Sequence, residues 1–178
     1  MKKRMMNLMI LTWAGMILPM LLMSQTKTQR IVADSKTAKA AFIKADGLMK
    51  NLFERSYGYV IFPNVGKGAI GVGGAAGNGA VYEHGKNTGS AKMLQVSAGF
   101  QFGGQAYREV IFFENKDALD RFKSNKLEFS GQFSAIAVKE GASADVKYRD
   151  GVMVFTQGKD GLMLEAALGG QKFTYTPM

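Results

Sequence analysis

The chain has 178 residues, a formal net charge of +9 and no cysteine. That length is one domain's worth with room for a real core, and the missing cysteine excludes disulfides, thiolate chemistry and acylation at a lipoprotein cysteine. The basic balance favours anionic partners, meaning membrane surfaces, nucleic acid or acidic polymers.

At the N-terminus, Lys2-Lys3-Arg4 precede an apolar run over 5–23 that is broken only by Asn7, Thr12 and Pro19. A charged start followed by an apolar run describes a secretory signal peptide, here residues 1–25. The run also approaches the length of a membrane span, so a retained anchor is the competing reading. Either way the chain is expected to be exported: periplasmic, associated with the cell envelope, or secreted. Removal of this segment takes away three bases and no acid, so the formal charge falls from +9 to +6. An exported chain does not meet nucleic acid, which puts the membrane surface first among partners.

Residues 26–178 read as a single domain. Over 35–55, Ala38, Phe42, Ala45, Met49 and Leu52 recur at steps of four and three, giving an amphipathic helix with Asp34 or Ser35 as N-cap. Its other side carries Lys36, Lys39, Lys44 and Lys50 against Asp46 alone. The apolar stripe has two readings, packing on a sheet or insertion into lipid. Strand-like runs follow at 59–63, 92–102, 107–113, 127–133, 152–157, 162–167 and 171–176, separated by Gly, Asn and Asp turns. A short helix is inserted over 116–125, with Asn115 as cap, acids early and bases late. The class is α+β: an antiparallel, barrel-like or strongly curved sheet with an N-terminal amphipathic helix and one short inserted helix.

Residues 66–80, GKGAIGVGGAAGNGA, match the dinucleotide fingerprint GxGxxG at Gly66, Gly68 and Gly71. The fingerprint needs a helix to open at its third glycine. Four more glycines within nine residues, each costing about 1 kcal/mol in a helix relative to alanine, remove that helix. No nucleotide is therefore expected. Asn78-Gly79 reads instead as the turn of a hairpin with strands near 68–75 and 79–84, and Gly71 and Gly73 leave one strand face bare.

No catalytic constellation stands out. His84 is the only histidine and lies in a polar turn without a triad or metal partner, and Asp117 and Asp120 are explained by helix polarity. No catalytic residue, metal or other cofactor is expected.

The ordered segments YGYVIFPNVGKGAIGVGGAAGNGAVY, SAGFQFGGQAYREVIFF, FSGQFSAIAVKEGASADV and GVMVFTQGKDGLMLEAALGGQ resemble the SYLF lipid-binding domain over about residues 35–175. The resemblance implies a non-enzymatic module. Eukaryotic members bind phosphoinositide membranes, partly through a basic N-terminal amphipathic helix, and some bind actin. Bacterial members are mostly exported, and this chain is similar to those, so actin is not an expected partner. Carried over residue by residue, the resemblance implies lipid contacts at Lys36, Lys39, Lys44, Lys50 and Lys67. The leading expectation is an exported domain that binds anionic lipid headgroups. An envelope interaction module without lipid chemistry is the alternative, with an unrecognised hydrolase third; protein partners stay open.

Overall fold

A computed structural model of the chain describes residues 27–67, 74–96, 106–127, 129, 135–159 and 170–178. The chain divides into two compact units, Met1–Arg30 and Ile31–Met178. Both hydrophobic clusters draw all their members from the second unit.

Helix α1 covers residues 27–45 and helix α2 Met49–Arg55. The helix expected over 35–55 is thus two helices, and it starts earlier. Asp34 and Ser35 lie inside α1 rather than at its cap, with Ser35 buried and its Oγ donating to the Ile61 carbonyl at 3.4 Å. The break falls at Asp46, which is not a solvent-face acid but only 2 % exposed. Its carboxylate accepts the Leu48 N–H at 3.0 Å and both the N–H and the hydroxyl of Ser143, at 2.9 and 2.7 Å. Burial pushes this carboxyl up, but the hydrogen bonds from Ser143 and Leu48 outweigh it and hold the group below its ordinary value.

Asp46→Ala is therefore expected to cost on the order of 3 kcal/mol, because it strands buried donors as well as losing charged hydrogen bonds. A depressed carboxyl contributes stability above its unfolded pKa and loses it as pH falls through the folded value. The gap between the parent and Asp46→Asn should accordingly narrow in acid, as read by urea midpoints. A gap that is constant with pH would contradict this.

Seven strands follow: β1 Gly58–Lys67, β2 Gly74–Glu83, β3 Lys86–Val96, β4 Tyr107–Phe113, β5 Ile136–Ala137, β6 Val152–Gly158 and β7 Gln171–Pro177. They form one sheet in the order β5-β6-β4-β1-β2-β3-β7, antiparallel except for β5 beside β6. The strands expected at 59–63, 107–113, 152–157 and 171–176 are present, with β1 longer than expected. The strand expected at 92–102 begins earlier, at Lys86, and is described as far as Val96. The run at 162–167 lies outside the described residues. So does most of 127–133, of which Leu127 and Phe129 are described, buried and not in a strand.

The hairpin expected at Asn78-Gly79 is not there. Both residues lie inside β2, paired with β1 and β3, and the connection from β1 to β2 falls in 68–73, outside the described residues. The two-residue turn is His84-Gly85, which joins β2 to β3 with φ of 48° and 77°. Positive φ at both positions is the type I′ requirement.

The sheet is strongly curled. In a flat sheet β4 and β7, four steps apart, would lie about 19 Å from each other at the usual strand spacing. Instead Gln171 Nε2 on β7 donates to Glu109 Oε2 on β4 at 3.0 Å, and the Tyr107 hydroxyl on β4 donates to Gln95 Oε1 on β3 at 3.2 Å. The concave face holds Val60, Phe62, Met93, Ile111, Val154 and Phe173. Helix α3, Lys116–Lys123, packs there through Ala118, Leu119 and Phe122. Its Asn115 cap is as expected, with Oδ1 accepting the Ala118 N–H at 3.0 Å. The convex face, with Tyr59, Ile61, Tyr82, Phe112 and Phe155, is covered by Ala38 and Phe42 of α1 and Met49 and Phe53 of α2.

Candidate lipid-binding site

The apolar stripe of the N-terminal helices is core. Ala38, Phe42, Met49 and Phe53 are at most 4 % exposed, which fixes what α1 and α2 can offer a partner. Between residues 31 and 45 the exposed positions are Ala33, Asp34, Lys36, Thr37, Ala40 and Lys44. Lys36 and Lys44 are eight residues apart, about 12 Å along the axis and within a quarter turn of each other. Lys50 continues the basic surface on α2, with its Nζ 3.9 Å from Glu54. Both groups of that pair are largely exposed, so it contributes little and leaves the lysine available.

Lys39 does not belong to this surface. It is half-buried, its ammonium 4.7 Å from the centre of the Phe53 ring and 5.2 Å from that of Tyr59, and it donates to the Tyr59 hydroxyl at 3.3 Å. Burial lowers its pKa, with Glu54 acting in the opposite direction. Lys67 ends β1, where it pairs with Ala75 of β2, away from both helices in sequence and element. The structure thus groups Lys36, Lys44 and Lys50 as exposed helix cations, turns Lys39 toward aromatic rings, and puts Lys67 on the sheet.

One exposed residue was missed by sequence reasoning. Leu48, in the break between the helices, is 44 % exposed and stands in sequence between Lys44 and Lys50. Leu48 is not one of the stripe residues read from the sequence, and the interruption of the helix at Asp46 is the feature that marks its position. Among the described residues no three His, Asp or Glu side chains converge as metal ligands, and none of the helices is long and apolar enough to cross a membrane.

Comparison with known proteins gives two findings. The family described as "Ysc84: Las17-binding protein actin regulator" matches residues 94–176, from β3 through β7. The chain is also 32 % identical over 126 residues to Beta cell expansion factor A of Aeromonas veronii, across 70 % of this chain and 48 % of that protein. It therefore spans about half the length of the curated relative it matches. The SYLF family is lipid-binding, is linked to actin in eukaryotes, and is not known for enzymatic activity. On the ordered motifs, the match over 94–176 and this relative, the chain belongs to the SYLF (Ysc84) family.

Proposed function

We propose that this protein is an exported, non-enzymatic module of the cell envelope that binds anionic lipid headgroups at a membrane surface. The observation that carries this reading is that Lys36, Lys44 and Lys50 of α1 and α2 are exposed, as is Leu48, which lies between Lys44 and Lys50 in sequence. Near an anionic surface each lysine adds about 1 kcal/mol, and an apolar side chain among them has somewhere to go in the interface. Lys67 stands as a further cation, on the resemblance.

Binding is peripheral and the helices stay docked. Lifting α1 and α2 into lipid would give Phe42 and Met49 a new apolar environment, but would expose Ile61, Phe112 and Phe155 of the sheet. Each of those costs roughly 2 kcal/mol to bring into water, and the lysines, exposed already with the helices docked, gain nothing from the lifting.

The expected result is that the protein, processed at about Thr26, cosediments with phosphatidylglycerol vesicles and not with phosphatidylcholine vesicles. Recovery should fall steadily as salt shortens the screening length. Equal recovery with both vesicle types would remove the reading.

A further inference from the structure

A cleft of about 520 Å³ opens where the end of α2 meets the His84-Gly85 turn and the link from β4 into α3. Five of its lining side chains carry hydrogen-bond donors: Lys39, Arg55, Ser56, His84 and Tyr57, whose hydroxyl is already given to Glu83 at 2.9 Å. The Ser56 hydroxyl is buried and has no partner. Among the described residues no carboxylate lies within ion-pair distance of Lys39 or Arg55. The acids that share the cleft are Glu54 and Glu114, and Glu54 makes only an exposed, weak pair with Lys50. One wall is apolar, formed by Phe53 and Tyr57.

We propose that this cleft binds a phosphomonoester carried on a small organic group. Two unpaired cations, an unsatisfied hydroxyl and an imidazole match the several acceptor oxygens and the charge of such a group, and the ring wall suits its carbon part. The volume exceeds that of a bare phosphate and falls in the range of small-molecule sites. Lys39 explains why the site rewards an anion: its ammonium is partly desolvated among rings, and an anion adds counter-charge to the attraction of Glu54, which makes no ion pair with it. Lys36, Lys44 and Lys50 do not line the cleft, Lys50 touching it only through Glu54, and the proposal does not depend on the membrane reading.

The phosphate could come from a soluble metabolite or from a lipid headgroup, and two arms of one experiment distinguish these. The processed protein is titrated with glycerol 3-phosphate while the His84 ring and Ser56 amide signals are followed by NMR. In parallel, binding to phosphatidylcholine vesicles doped with phosphatidic acid, a monoester, is compared with binding to vesicles carrying phosphatidylglycerol, a diester, at matched surface charge. A saturable shift, a preference for phosphatidic acid, or both is expected. Arg55→Gln, an exposed position that leaves the core intact, should weaken the response by about tenfold, the size of one lost charged hydrogen bond. Ser56→Ala should weaken it as well, whereas neutralising Lys36 and Lys44, which do not line the cleft, should leave the glycerol 3-phosphate titration unchanged. No saturable shift together with no monoester preference would overturn the proposal, as would equal responses in the parent, Arg55→Gln and Ser56→Ala. Failure of the vesicle reading would instead appear as lost binding to phosphatidylglycerol with the soluble titration intact.

Discussion

Glu109→Gln is expected to stabilise the protein above pH 7 by on the order of 3 kcal/mol and to flatten its stability between pH 4.5 and 7. Glu109 is wholly buried on the concave face, and burial pushes its carboxyl up from 4.5 to about 7, opposed by the hydrogen bond from Gln171. A carboxyl raised in this way contributes fully below its unfolded value and loses that contribution as pH rises to the folded one. Parent stability should therefore fall from about pH 4.5 to about 7 and then level off. Chemistry at the site favours the neutral form. Its ring neighbour is the Tyr107 phenol, itself pushed up by burial and then by the Glu109 charge, and no cation pairs with Glu109 among the described residues. Glu109 Oε1 and Gln171 Oε1 are both acceptors without donors. A carboxamide at position 109 keeps an acceptor for Gln171 Nε2 and adds a donor of its own. Urea midpoints from pH 5 to 8.5 check this, and a parent whose stability is level across that range would contradict it.

Gly79→Ala is expected to destabilise by about 3 kcal/mol, at the upper end for overpacking, because the obstacle is backbone as well as side chain. A Cβ at this position would lie 2.6 Å from the Ile61 carbonyl oxygen and 2.7 Å from the Phe62 ring. The register explains the crowding. Ile61 pairs with Ala80 and Asn64 with Asn78, so Phe62 and Pro63 together face Gly79 alone. This is a β-bulge, placed where Pro63 has no N–H to give the ladder. Gly47, with open space around its Cβ direction, is the control: Gly47→Ala should be neutral or slightly stabilising. Thermal unfolding of the two variants should separate them clearly, and equal midpoints would show that the bulge relaxes at no cost.

That glycine also shows where sequence reading stops. Asn-Gly is a strong local signal for a turn, but here the ladder with both neighbouring strands wins, and the turn falls six residues later at His84-Gly85. Local patterns served well where the deciding partner was close in the chain. Asn115 caps α3 through a residue three positions on, and the spacing of Ala38, Phe42 and Met49 gives the buried helix face. They failed where it was distant. Asp46 resembles a solvent-face acid until Ser143, 97 positions away, closes on it. Glu109 reads as one more strand residue until Gln171, 62 positions away, crosses the curl. Among the candidate lysines, Lys39 is equivalent to its neighbours in sequence and differs only because Phe53 and Tyr59 lie beneath it.

The central claim is that the exposed lysines of α1 and α2 hold this protein at an anionic surface while their apolar stripe stays on the sheet. It is tested most directly by titrating phosphatidylglycerol vesicles into the processed parent and into Lys36→Gln/Lys44→Gln/Lys50→Gln at one salt concentration. Three lysines at about 1 kcal/mol each predict a loss of roughly a hundredfold in affinity, with folding unchanged. Parent and variant binding with equal affinity would contradict the account.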